Sequence, residues 1–266
     1  MEKTMDLAGK INLFYQPVLT EDEREAITKG DYESIRPNFT NSSLASQRLP
    51  GFGTSWFPRS ERVCIDRLEM IVKNLPKGVK NYSFADYGCS NGFFINCLSF
   101  LGAKPSLGID NSIHNDALKF NKKNVIEKAR EDASETYDLD PAPTFIDANF
   151  ITWLEENPNE KRDVSIFVSV LHHFFKGYGN LNSSDRKGHN RKDDLCNLGE
   201  QAHNVLKLID RATNKYLVFE MDEQYVPGWN KQTIPDLMRV HTSFKKHKVI
   251  GVSDGFTPRT VFLFEK

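Results

Sequence analysis

Apolar positions along the chain fall into two regimes that meet near residue 60. Residues 1–55 carry weak periodicity. Thr20-Glu21-Asp22-Glu23 reads as the start of an acidic helix, with Thr20 as N-cap and Glu23 three residues on. Residues 38–43 are polar and loop-like, and Pro50-Gly51-Phe52-Gly53 is a turn. From Ser60 the pattern sharpens. Leu68, Ile71, Val72 and Leu75 recur at helical spacing and predict one apolar helix face, which Pro76-Lys77-Gly78 stops. Short apolar runs then alternate with helical stretches. Strands are predicted at 82–87, 106–110, 144–147, 164–171 and 216–220. Helices are predicted over 93–101, from Ser112 to about Arg130, around Trp153-Leu154, and along Leu198, Ala202, Val205, Leu206 and Ile209. The run 164–171 is nearly continuous in apolar residues, the mark of a strand covered on both faces. Residues 131–143 read as an acidic surface loop and 176–196 as a long polar segment.

Two further runs, 248–252 and 260–264, close the chain. The gap between them holds Gly255 and Pro258 and is too short for a helical crossover, so this pair is predicted antiparallel. Five strand–helix units followed by a hairpin predict an α/β fold. It is a doubly wound, Rossmann-like sheet of seven strands with an antiparallel C-terminal hairpin, plus an N-terminal helical appendage. The expected division is a helical and loop cap over residues 1–80 and the sheet domain over 81–266. No internal repeat is present.

Composition narrows the picture. Of 266 residues, 39% are hydrophobic and 27% charged, with a mean hydropathy of −0.52, which suits a globular chain with a real core. No stretch approaches the roughly 20 apolar residues of a membrane helix. The start of the chain has no sustained apolar region of the kind that directs secretion. A cytoplasmic protein without membrane contact is therefore expected. Thirty-five basic against 36 acidic side chains give a net charge of −1, so bulk charge does not indicate nucleic-acid binding. Cys64, Cys89, Cys97 and Cys196 show no CxxC spacing and read as reduced thiols; no metal centre is expected.

The chemistry-bearing signal lies after the first strand, in Asp86-Tyr87-Gly88-Cys89-Ser90-Asn91-Gly92-Phe93-Phe94. A strand runs into a glycine turn that opens a helix. Gly88 and Gly92 let the backbone approach a ligand closely, and the helix start offers amides. The same sequence also suits a plain strand–helix turn. Asp110 follows Gly88 by 22 residues, close to the roughly 20 at which an acid meets a ribose in dinucleotide folds. Its carboxylate can accept both ribose hydroxyls or cap the next helix. Asp147 ends the third strand, where it can accept from an exocyclic amine, and Ala148 leaves room for a flat base. Three acids at three successive strand ends share one edge of the sheet.

This set resembles the class I S-adenosylmethionine-dependent methyltransferases, from about residue 82 to 266. The run Asp86 to Gly92 is similar to their acid-x-Gly-x-Gly-x-Gly loop, with Ser90 in place of the middle glycine. Gly108-Ile109-Asp110 resembles the ribose-binding segment, Asp147-Ala148 the adenine-side pair, and residues 163–173 the fourth-strand motif. The resemblance implies an enzyme with S-adenosyl-L-methionine as cofactor. By it, Asp86, Gly88, Cys89, Ser90, Asn91 and Gly92 would hold the methionine part, Asp110 and Asn111 the ribose, and Asp147 and Ala148 the adenine. Ser169 and Leu171 would line the cleft floor.

The acceptor side is less defined. His172 and His173 end the fourth strand, and either can serve as a base near neutral pH or simply pack. Glu220 and Asp222 end the fifth strand and can meet an acceptor or a base, or simply form a solvated strand end. Segment 176–197 carries Arg186, Lys187, Arg191 and Lys192 and reads as a lid or a solvated loop. A second basic run, 239–248, reads as an exposed helix face. Trp56, Phe57, Arg59 and Arg62 can fold over the cleft or pack elsewhere. The NPPY-like tetrad of amino-methylating nucleic-acid enzymes is absent, and Ser169-Val170-Leu171-His172 stands there. Oxygen methylation of a small polar acceptor, sugar- or phosphate-bearing, is the first expectation. RNA methylation, a silent cofactor-binding regulator and a nicotinamide-dependent oxidoreductase are the alternatives. The oligomeric state is left open.

Overall fold

The computed structural model describes residues 61–90, 92–111, 125–136, 139–174, 200–221, 230–253 and 259–266. The expectations for residues 1–60, Ser112 and the 176–196 segment lie outside these residues. The strands are β1 (Phe84–Tyr87), β2 (Leu107–Asp110), β3 (Thr144–Asp147), β4 (Arg162–Val168), β5 (Thr213–Glu220), β6 (Lys246–Ser253) and β7 (Arg259–Glu265). They form one sheet in the order β3-β2-β1-β4-β5-β7-β6. The first five are parallel, and β7 runs antiparallel to both β5 and β6. The strand order reverses at β1, between β2 and β4, and in open sheets ligands bind outside the strand ends at that point.

Helices cover both faces. They are α1 (Glu61–Asn74), α2 (Phe93–Phe100), α3 (Val125–Glu131), α4 (Phe150–Glu156), α5 (Glu200–Ala212) and α6 (Ile234–His241). Alternation along the strands splits the core in two. Phe84, Val164, Ile166 and Val218 pack with Leu68, Ile71 and Leu98 on one side. Ala85, Tyr87, Phe167 and Phe219 pack with Leu154, Val205, Leu206 and Ile209 on the other. Each fully buried side chain of this size contributes roughly 1.5–3 kcal/mol of transfer free energy. Arg130 donates through Nε and Nη2 to Phe145 O, at 3.1 and 2.7 Å, which covers the outer edge of β3. Among the described residues no helix is long and apolar enough to cross a membrane.

Three local expectations are corrected. The fourth strand was predicted through 171, but β4 stops at Val168 and Leu171–Phe174 form a 3-10 turn. Ser169, at φ 59°, breaks the strand. Residues 132–136, predicted as surface loop, continue α3 as a π-helical turn. Their acidic composition hid a helical spacing: Ile126, Ala129 and Ala133 are all buried in the core. The basic run 239–248, predicted as one helix face, spans the end of α6, a turn and the first residues of β6. The turn is fixed where the amide and hydroxyl of Ser243 both donate to the Asp210 carboxylate, at 2.9 and 2.7 Å. Helix α1, grouped with the cap by sequence, packs on the sheet. Lys248 Nζ donates to Asn74 Oδ1 at 2.6 Å, and a β-carbon at Gly251 would collide with Met70 Sδ at 2.5 Å.

Candidate active site

The glycine turn after β1 has its backbone in the left-handed region at Gly88, Ser90 and Gly92, with φ 87°, 51° and 80°. Glycine is required there by close approach as well as by φ. A β-carbon at 88 would lie 2.7 Å from Val170 Cγ2, and one at 92 would lie 2.5 Å from the Phe145 ring. The amides of Gly88 and Cys89 donate to Ile109 O at 2.8 and 3.1 Å, that of Gly92 to Cys89 O at 2.9 Å, and that of Ser90 to Asp110 Oδ2 at 2.6 Å. The expectation of open amides is corrected at these four positions: the β2 carbonyl of Ile109 takes those of Gly88 and Cys89, the Asp110 carboxylate takes that of Ser90, and the turn's own Cys89 carbonyl takes that of Gly92. Asn91 lies outside the described residues.

Asp86, one residue from the end of β1, is 3% exposed. Among the described residues no hydrogen-bond donor is paired with its carboxylate. Burial, and then the charge of Asp110, push its pKa well up. Burial, followed by Asp110 and Asp86, likewise pushes up the Cys89 thiol, which is therefore not a thiolate nucleophile at neutral pH. Cys89 and Cys97 are buried thiols.

Asp110 and Asp147 are register partners across β2 and β3, and Ala148 N donates to Asp110 O at 3.0 Å. Beyond them opens a cavity of about 470 Å³, lined by Asn111, Asp147, Ala148, Asn149, Thr152, Trp153 and Glu156. Sequence reasoning missed the last four. The signal was present: positions 149, 152, 153 and 156 lie on one face of α4 at helical spacing. Asn149 also starts that helix, its Oδ1 accepting from Ile151 N at 2.9 Å.

A second cluster sits where β4 and β5 end. Glu220 is 0% exposed, and its carboxylate faces Arg67, Arg259 and Ser169. The sequence left Glu220 between an acceptor contact and a solvated strand end; the structure buries it against two guanidiniums and a hydroxyl, so the solvated strand end is corrected. Leu171 is wholly buried, in the core cluster that includes Phe150 and Phe167. His172 is buried in the 3-10 turn. His173 shares that turn, with its side chain outside the described residues, as is Asp222. Among the described residues no group of three or more His, Cys, Asp or Glu is placed to hold a metal ion.

No protein-family model and no curated protein sequence matches the chain. Solved structures do. Magnesium protoporphyrin IX methyltransferase from Synechocystis PCC 6803 with bound SAM aligns at TM-score 0.53 and 15% identity, over 89% of this chain and 97% of that one. Its form with bound SAH aligns at TM-score 0.54 and 15% identity, over 88% and 99%. The chain has the class I S-adenosylmethionine-dependent methyltransferase fold. In this methyltransferase fold the parallel strands β1, β2 and β3 carry Asp86, Asp110 and Asp147. The antiparallel hairpin contributes Arg259 from the start of β7.

Proposed function

We propose that this protein is an S-adenosylmethionine-dependent methyltransferase that methylates oxygen on a small polar acceptor. The observation that carries the reading is Asp86: a buried carboxylate with no donor paired to it among the described residues, beside a glycine turn and two further strand-end acids. A buried anion of this kind is matched by an ammonium group, which the methionine part of the cofactor presents. The residues present fit the rest as well. Asp110 and Asn111 would hold the ribose. Asp147, Ala148 and Trp153 would bound the adenine end. When bound, the cofactor supplies a methyl group activated on a sulfonium.

What this chain contributes is orientation and proton handling. Methyl transfer is an in-line displacement, and holding acceptor and donor in line supplies much of the acceleration. His172 or His173, in the turn after β4, would take the acceptor hydroxyl proton on an imidazole nitrogen. The absent NPPY-like tetrad supports oxygen over an amino nitrogen. The basic segment 186–192, outside the described residues, would meet a phosphate or sugar-borne anion. One observation favours a second reading, a regulator that keeps the cofactor without turnover: Glu220 is withdrawn from the acceptor side.

Calorimetry with S-adenosylhomocysteine and NAD tests the cofactor. Binding of the former is expected, and a preference for NAD overturns the assignment. Incubation with labelled S-adenosylmethionine and a metabolite pool is expected to yield a product heavier by one methyl group. Tight cofactor binding with no labelled product across a broad acceptor panel would favour the regulator.

A further inference from the structure

Glu220 ends β5 with both carboxylate oxygens engaged. Oε2 lies 2.6 Å from Arg67 Nε on α1, an ionic contact rather than an aligned hydrogen bond. Oε1 accepts from Ser169 Oγ at 3.0 Å and from Arg259 Nη1 at 3.2 Å. Arg259 Nη1 also donates to Ser169 Oγ at 2.6 Å, and Ser169 N donates to Glu220 O at 2.9 Å. Ser169 is thus held by backbone and side chain together. It needs holding, because φ 59° is a conformation that non-glycine residues seldom take. The next residue is Val170, whose Cγ2 fills the place where a β-carbon of residue 88 would stand. A continuous line of contacts therefore runs from α1, β5 and β7, through Ser169 and Val170, to the glycine turn.

We propose that Arg67, Glu220 and Arg259 are positioning residues for the cofactor loop. They hold Ser169 in the left-handed conformation, which seats Val170 against Gly88 and sets the shape of the turn. None of the three belongs to the turn, and the device rests on the methyltransferase reading only in what the turn binds. Buried ion pairs are poor sources of net stability, since desolvation offsets their attraction, but they impose geometry. The role assigned to this cluster is to set a backbone shape.

Four proteins test it: wild type, Glu220→Gln, Ser169→Ala and Ser169→Gly. Each is measured for S-adenosylhomocysteine affinity, melting temperature and amide hydrogen exchange in the glycine turn. Glu220→Gln is expected to weaken binding roughly tenfold and to speed exchange at residues 88–92 in the ligand-free protein. Ser169→Ala is expected to do the same. It lacks the hydroxyl and keeps the β-carbon. Ser169→Gly is expected to stay within about threefold of wild type, because glycine adopts φ 59° unaided. The double variant Glu220→Gln/Ser169→Gly should then recover binding. A brace of purely structural value would lower the melting temperature and leave affinity and turn exchange at wild-type values, and that result overturns the proposal. Equal behaviour of Ser169→Ala and Ser169→Gly overturns it too, and decides the matter should Glu220→Gln not fold. If wild type binds no S-adenosylhomocysteine, the methyltransferase reading fails, and exchange in the ligand-free turn still decides this one.

Discussion

Asp86 is the residue at which stability and binding oppose each other. Its folded pKa is raised by burial and by Asp110, so the folded state holds its proton to higher pH than the unfolded chain. Stability then falls as pH rises from the unfolded value, about 3.9, through the folded one. Asp86→Asn, neutral throughout, is expected to melt higher than wild type at neutral pH, and the difference should vanish near pH ~4. The same change should weaken S-adenosylhomocysteine binding by about 1–3 kcal/mol, measured by calorimetry. On the proposed function, the cofactor's ammonium would select the ionised carboxylate. Wild-type affinity should therefore drop about tenfold per pH unit below the raised pKa, with proton release on binding at those pH values. Gly92 is the second decisive residue. Gly92→Ala places a methyl 2.5 Å from the Phe145 ring at φ 80°, and a loss of about 2–4 kcal/mol is expected in urea unfolding.

Among the elements, α4 joins the sheet to the cavity. Its polar face of Asn149, Thr152, Trp153 and Glu156 lines the space beyond Asp147, while Phe150 and Leu154 anchor it in the core. Asn149→Ala removes the cap on Ile151 N and is expected to cost about 1 kcal/mol, read as a lower urea midpoint. Trp153 should report occupancy of the cavity. In a Trp56→Phe/Trp229→Phe background, S-adenosylhomocysteine should change the remaining fluorescence, and adding Trp153→Phe should abolish the change. The elements themselves were largely legible. Leu68, Ile71 and Leu75 announced α1, and the short gap between the last two strands announced the hairpin. What composition concealed was the continuation of α3. Acidic residues around Ala133 read as loop, although its spacing from Ile126 and Ala129 was helical. The end of β4 was misread for another reason. Apolar residues continue to Leu171, and the left-handed backbone of Ser169, which stops the strand after Val168, has no signature in that run.

Across the whole molecule, ligand and fold are linked. S-adenosylhomocysteine at 100 times its dissociation constant should stabilise the protein by about 2.7 kcal/mol, a rise in melting temperature of roughly 5–10 °C. Periodicity placed most of the strands and several helices, because burial on one or two faces dictates the spacing of apolar residues. Glycines and strand-end acids were likewise readable, since a tight turn and a ligand rim demand particular residue types at particular places. Only the tertiary structure decided that Glu220 faces inward to Arg67 and Arg259, residues from α1 and β7. It alone decided that the amides of Gly88, Cys89 and Ser90 are spent on β2 residues, and that α1 packs on the sheet. Those outcomes depend on which distant side chains packing brings within hydrogen-bond reach, and no local pattern along the chain encodes that distance.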